Sequence, residues 1–547
     1  MIGTGIFVLA FFLRLYNLTI LPIFGDEAIY IRWAQVMRAE PGLRFIPLSD
    51  GKQPLFMWVV IPFLKIIHDP LVAARVVSVF TGIGSLIGVF VLTYILFNRS
   101  HSELVSESSE SKDEKILNQV QDDKKKVQIA LLASLIYAIS PFTIFFDRMA
   151  LADSMLAFFG VWTLVFSLLT ARKIRLDTAI LAGFCLGGAF LTKSPASFFA
   201  AIIPIALILT DWPKTFKKRF NRLSVYVFLF TFTYVIGFAI YNILRLGVNF
   251  QMIALRNKDY VFPITRMLQS PFDPLIPHLR DIVNYFWLMG PSVLVLLIGL
   301  GILVGWKLFR KETLILLAWG ILPILAVAEF SKTMTARYIY FSLPYLFIVA
   351  SLSLRVKLNH LRGEIGSHLE FLTKVLVALL ALHALFIDFQ LLTNPQKANL
   401  PRSERSGYLE EWTSGYGIKE VSEIIRQEYH QRPDQKIIVG TEGYFGTLPD
   451  GLQIYLNNAP EITVIGVGIE IEELPKSLAE SRDAGNKTYL VINNSRLLAD
   501  PEDLDLNLIA VYPKAFRKAG TREYNTLGPR ESLYLFEVMG ESIEFQE

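Results

Sequence analysis

The 547-residue chain reads as a mainly α-helical, polytopic membrane protein, with about eleven transmembrane helices and a soluble α/β domain in its C-terminal part. Three observations predict this. Hydrophobic residues make up 53% and charged residues only 19%, where soluble domains carry about a quarter charged, and the mean hydropathy is +0.43. The apolar residues fall in long runs, several near the ~20 residues that cross a bilayer as helix. Beyond about residue 405 the runs give way to short β-rich segments broken by Gly, Pro and Asn.

In chain order, the expected spans are 2–17, 71–97, 127–146, 149–170, 178–192, 196–212, 223–244, 283–306, 313–330, 336–354 and 372–392. Those at 2–17, 178–192 and 196–212 are short, suited to tilted or half-inserted helices. The first run has neither a basic leader nor a small-residue cleavage site, so it is expected to stay as an anchor. Lys and Arg set the orientation. With the N-terminus inside, the inner loops hold Lys124-Lys125-Lys126; Arg172, Lys173 and Arg175; Lys214 to Arg222; Lys307, Arg310 and Lys311; and Arg355, Lys357 and Arg362. Residues 18–70, 245–281 and everything after about 392 then lie outside. The chain is expected in the cytoplasmic (inner) membrane, with its C-terminal domain extracytoplasmic.

Residues 1–392 form the membrane core. Within it, 100–126 is polar, Ser/Glu/Lys-rich and without apolar period, which predicts a disordered cytoplasmic insertion. A polar linker spans 393–404. From 405 to 547 the chain is long enough to bury a small core of its own. Ile418, Val421 and Ile425 recur at helical spacing after Gly417, and strands are expected at 436–440, 462–467, 488–493 and 533–538. The single cysteine, Cys185, lies in an apolar run, which excludes a disulfide framework. A net charge of +4 gives no reason to expect nucleic acid as a partner.

Chemistry concentrates on the first outer loop. Gly25-Asp26-Glu27 follows the first span, and charge at a membrane boundary usually serves function. An amphipathic stretch, 28–38, carries Ile29, Trp33 and Val36. Lys52-Gln53-Pro54-Leu55-Phe56 comes next, with Trp58 as a second interfacial anchor. A carboxylate and a lysine beside interfacial helices suit a lipid-borne phosphate, Lys52 for the anion and Asp26 for proton removal.

Further motifs follow in order: Arg75 opening the second span; Arg148 and Asp153 entering a later one; Gly187-Gly188-Ala189-Phe190-Leu191-Thr192-Lys193-Ser194-Pro195; and Arg337-Tyr338 running into Leu343-Pro344. Over roughly residues 5–355 this order resembles the GT-C glycosyltransferases, in particular the protein O-mannosyltransferase and lipid A aminoarabinose transferase families. The resemblance implies inverting transfer of a sugar from a polyprenyl-phosphate donor to a protein, lipid or glycan acceptor at the outer face. By matching position, Asp26 would be the general base and Glu27 would support it or position the acceptor. Lys52 would hold the donor phosphate and neutralise the charge that develops on it. Arg75, Arg148, Lys193, Arg337 and Tyr338 complete the implied phosphate site. The chain departs from the family at Ile29, where some members carry an arginine, and at Gly51-Lys52-Gln53-Pro54, where others have Pro-Pro or an acid. No cofactor is implied, and no zinc-like spacing of histidines indicates a metal.

Structural readings stand beside these. Asp26 and Glu27 would also serve as helix-cap acids. Lys52 and Arg75 would also snorkel. Arg148 and Asp153 would pair with each other, and Glu329 would pair with Arg337. Five outer-loop cations, Arg245, Arg256, Lys258, Arg266 and Arg280, run against the usual bias and suit anionic headgroups, the donor phosphate or plain solvation. Two other function classes fit in part. A transporter or flippase of lipid-linked sugars would show repeated halves or broken midplane helices, and no repeat is visible. A membrane-anchored binding protein would leave the elaborate first loop unexplained.

Overall fold

The computed structural model describes residues 1–97, 112–355 and 364–540. Among the described residues, six helices are long and apolar enough to cross a membrane: Pro70–Phe97, Ala152–Lys173, Phe216–Leu246, Arg310–Phe330, Ala336–Arg355 and Glu370–Thr393. Two bent pairs raise the number to as many as eight. Shorter apolar helices include Ile2–Leu15, Leu176–Thr192 and Ala196–Leu209. Each expected span has a counterpart in one of these three groups. The protein is an integral, multi-pass membrane protein.

Two expectations are corrected. The run 283–306 is not one straight helix: Leu275–Leu288 and Ser292–Leu308 meet at 106°, because Gly290-Pro291 combines a weak helix former with a residue lacking an N–H. Of the polar insertion 100–126, residues 100–111 lie outside the described residues, but from Lys112 the chain is helix, Lys112–Ile139. Lys, Glu and Gln are good helix formers, so this stretch extends the helix of the apolar run that follows it. A second bend, 59°, separates Lys126–Ile139 from Pro141–Asp147. Thr143 Oγ1 donates to the Tyr137 and Ser140 carbonyls at 2.5 and 2.9 Å, giving the broken backbone a partner.

The chain divides into two compact units. The first comprises Met1–Tyr16, Arg44–Phe56 and Arg75–Pro401; the second comprises Asn17–Leu43, Met57–Ala74 and Arg402–Glu547. Among the described residues the first unit is helical apart from an isolated bridge between Val261 and Ser331. Its helices approach closely where side chains vanish: a Cβ on Gly188 would lie 2.4 Å from the Phe159 ring. Trp319, fully buried, stacks on Phe199 with centroids 5.5 Å apart.

The second unit is built on a five-stranded sheet, ordered β2-β1-β3-β5-β4. The strands are β1 Ile437–Glu442, β2 Ile462–Gly468, β3 Lys487–Asn493, β4 Leu506–Phe516 and β5 Arg530–Val538. Strands β2, β1 and β3 run parallel, with Ile437 opposite both Ile462 and Lys487, while β5 pairs antiparallel with β3 and β4. Leu478, Leu490, Ile492, Leu506 and Phe536 form one apolar cluster. Sequence patterning misses β4 because Pro513 interrupts it, yet β4 is an edge strand, where proline is tolerated.

Part of the segment 18–70 belongs to this second unit. Helix Gly25–Ala39 is entered through Phe24, which bridges to Ser414 and stacks on Tyr408 at 4.2 Å. Arg32 and Gln35 donate to Asn457 Oδ1 and the Ile454 carbonyl at 2.7 and 2.9 Å.

Candidate functional site

In the second unit, the two acids occupy the first turn of helix 25–39. Glu27 is wholly buried, and its Oε2 accepts the Phe24 N–H at 3.0 Å, a capping interaction that fixes the helix entrance. Asp26 is half-buried. The Gly25 N–H donates to the Thr413 carbonyl at 3.2 Å, and the Gly415 N–H to that of Ile23 at 2.8 Å. The acidic turn therefore rests on a two-sided backbone clasp, and the helix dipole favours negative charge there.

The first unit gathers the basic turns. Gly51 closes a short 3-10 turn with φ of 69°, a conformation suited to glycine, and a Cβ there would lie 2.7 Å from that of Arg256. Lys52 follows, its Nζ 5.8 Å from the Tyr260 ring centroid. Gln53 Nε2 donates to Ser194 Oγ at 2.8 Å, which joins this turn to Lys193-Ser194-Pro195. Lys193 is extended at the end of helix 176–192; its Nζ pairs with Asp153 at 2.6 Å and lies 5.6 Å from the Tyr338 ring. Arg337 also lies 5.6 Å from that ring. Residues 260–262 are laddered to 330–332: Phe262 N–H to the Phe330 carbonyl at 2.7 Å, and Lys332 N–H to that of Tyr260 at 2.8 Å. Gln53 and Ser194 thus join the Lys52 turn to the Lys193 turn, Lys193 and Arg337 share the Tyr338 ring, and cations over aromatic faces add attraction.

Behind it lies a buried polar network that the sequence reading did not single out. Arg14 and Asp147, both 0% exposed, pair at 2.8 Å. Asp147 Oδ1 accepts from Tyr340 at 2.5 Å and Ser154 at 2.6 Å, and Tyr137 and Tyr340 share a 3.1 Å hydroxyl contact. The available signal was an arginine inside the first span and an acid ending another, both costly in a membrane. Arg148 Nη1 donates to the Leu13, Arg14 and Tyr16 carbonyls at 3.1, 3.1 and 2.6 Å, capping helix 2–15. Asp153 pairs with Lys193 and not with Arg148, since the helix start at Ala152 turns it toward the other turn. Glu329 makes no ion pair with Arg337 among the described residues. Arg75 is completely buried, so it does not snorkel.

The second unit holds its own buried charges at one end of the sheet. Glu442, ending β1, accepts the Asn493 N–H and Nδ2 at 2.6 and 2.7 Å, and burial raises its carboxyl above the usual range. Lys514, 1% exposed, donates to the Glu411 carbonyl at 3.1 Å, and burial brings its amine down to about 8. Arg517 bridges Glu411 and Glu531 at 2.9 and 2.6 Å. Among the described residues, no three His, Cys, Asp or Glu side chains gather to hold a metal.

Residues 119–253, which include Arg148, Asp153 and Lys193, match the family model of dolichyl-phosphate-mannose-protein mannosyltransferases. Among solved structures, the chain is similar to ArnT from Cupriavidus metallidurans in the apo state, with TM-score 0.56 and 14% identity over 98% of this chain and 97% of that one. It is similarly related to the same protein bound to undecaprenyl phosphate, with TM-score 0.55 and 13% identity over 98% of both chains. No curated protein matches the sequence. The fold is therefore that of the ArnT structures over nearly their whole length, and the chain resembles the GT-C glycosyltransferases as the order of its motifs implies.

Proposed function

We propose that this protein is an inverting glycosyltransferase that moves a sugar from a polyprenyl-phosphate donor to an acceptor hydroxyl at the outer face of the cytoplasmic membrane, with about eleven crossings and its C-terminal domain extracytoplasmic. The observation that carries this reading is the joining of the Lys52 turn to Lys193 through Gln53 and Ser194, with Lys193 and Arg337 both at Tyr338, which we read as a cationic cradle for a phosphate. The fold it shares with ArnT, one of whose structures holds undecaprenyl phosphate, and the family match of residues 119–253 support it.

In the reaction, the acceptor oxygen attacks the anomeric carbon as the bond from that carbon to the phosphate oxygen breaks. Polyprenyl phosphate leaves with the electron pair, and the acceptor proton passes to Asp26. Lys52, Lys193 and Arg337 stabilise the extra negative charge on the leaving phosphate, with Tyr338 as their aromatic wall. Glu27 holds helix 25–39 and so positions Asp26; Arg75 and Arg148 support the phosphate site from inside the protein.

The test is transfer from a labelled polyprenyl-phosphate sugar in nanodiscs. Asp26→Asn is expected to lower kcat by roughly 10²–10⁴ with folding unchanged, and Lys52→Ala by ~10²–10³. The two bent helix pairs are the feature a flippase would use. Movement of intact donor across the bilayer, equal in wild type and Asp26→Asn and without sugar release, would favour that reading and overturn ours.

A further inference from the structure

Helix 275–288 carries a face that the first unit leaves uncovered. Its buried side holds His278, Ile282, Tyr285 and Phe286. His278 Nδ1 lies 2.9 Å from the Ala328 carbonyl and Tyr285 donates to that of Met334 at 3.0 Å, which pins the helix against the segment leading to Arg337. The opposite side shows Ile276, Arg280, Val283 and Trp287, spaced i, i+4, i+7 and i+11 and therefore on one stripe. Ile276, Val283 and Trp287 are 53%, 64% and 60% exposed. Arg280 is exposed and makes no ion pair among the described residues.

The helix turns through 106° into Ser292–Leu308. If the latter crosses the bilayer, the former lies nearly in the membrane plane. An outward stripe of large apolar residues on an in-plane helix is the reverse of what water tolerates and what a lipid boundary requires. The preceding segment agrees: Leu246, Val248, Leu268 and Phe272 are all exposed, and Arg245 and Lys258 are exposed cations beside them.

We propose that helix 275–288 is an interfacial lipid-binding element, seated in a leaflet of anionic phospholipid, with Ile276, Val283 and Trp287 among the upper acyl chains and Arg280 on headgroup phosphate. Continuity with Ser292–Leu308, the apolar helix with which it forms a bent pair, and the exposed apolar stripe carry the apolar part of this assignment, and Arg280, with no ion pair among the described residues, carries the charge. Through His278 and Tyr285 the seated helix also holds the segment that bears Arg337 and Tyr338.

Trp287 is its own reporter. The full chain is placed in nanodiscs of phosphatidylcholine and phosphatidylglycerol with one lipid brominated in its upper acyl chain, and the Trp287 signal is the difference between wild type and Trp287→Phe. That signal is expected to be quenched by bromine ~5–10 Å below the headgroups and unaffected by aqueous iodide. Iodide quenching without bromine quenching would overturn the proposal. With bromine on phosphatidylglycerol, quenching is expected to reflect a roughly five-fold enrichment over phosphatidylcholine, the ~1 kcal/mol of one cation near an anionic surface, and Arg280→Gln should abolish the preference. Equal quenching by both lipids in the wild type, or a preference that survives Arg280→Gln, would overturn the anionic part. Enrichment of added polyprenyl phosphate alone would assign the face to the donor lipid instead.

Discussion

Asp147→Asn tests whether the buried network holds the first unit together. The carboxylate is fully buried, pairs with Arg14 Nε at 2.8 Å and accepts two hydroxyls through Oδ1. Its other side abuts Gly82, where even a Cβ would lie 2.3 Å from the carboxylate, so no water can take its place. Asparagine offers one acceptor. If its oxygen keeps Tyr340 and Ser154, its amide hydrogens face the Arg14 N–H. Removing one partner of a buried pair typically costs ~3–5 kcal/mol. Arg14 retains the Ala10, Tyr137 and Ala138 carbonyls at 3.3, 3.2 and 3.0 Å, so the cost should fall near the lower end, about 3 kcal/mol. Thermal and denaturant unfolding in nanodiscs would measure it. Arg14→Met should cost about as much, and the double variant should be less destabilised than the two singles summed, by ~2–3 kcal/mol for residues sharing one network. A single-variant cost under ~1 kcal/mol, or strict additivity, would refute the reasoning.

Asp153→Asn frees Lys193 from its 2.6 Å partner. Because the lysine remains 26% exposed, stability should fall by only about 1 kcal/mol, while kcat/KM for the donor should fall roughly ten-fold through lost positioning; unchanged donor kinetics would refute that role. Lys514 titrates near 8 in the folded domain against ~10.4 unfolded. The unfolded chain therefore binds more protons between these values, and stability should rise with pH across that window by up to ~1.4 kcal/mol per unit. Lys514→Met should flatten the rise in calorimetric scans.

The membrane bundle was legible because hydrocarbon length acts locally: nearly every apolar run became a helix at the expected place. Boundaries were lost where backbone chemistry intervened, at Gly290-Pro291 and Pro141, and where polar residues carried helix past the apolar run, at Lys112. In the C-terminal domain four of the five strands were readable from alternation and turn residues, and the fifth hid behind an edge proline. Among the site residues, the sequence could mark which charges flank the apolar runs, but not their partners.

The sequence by itself determined a polytopic helical protein with a C-terminal α/β domain, an acidic pair after the first span and basic residues before three later turns, because hydropathy, helix length and turn chemistry depend on near neighbours. Only the tertiary structure decided that Asp153 anchors Lys193, that Gln53 meets Ser194 across 141 residues, that Arg14 and Asp147 neutralise each other, and that Glu27 caps its own helix. A buried charge must find a counter-charge or carbonyl wherever packing brings one, and that choice is made by the folded chain and not by sequence distance.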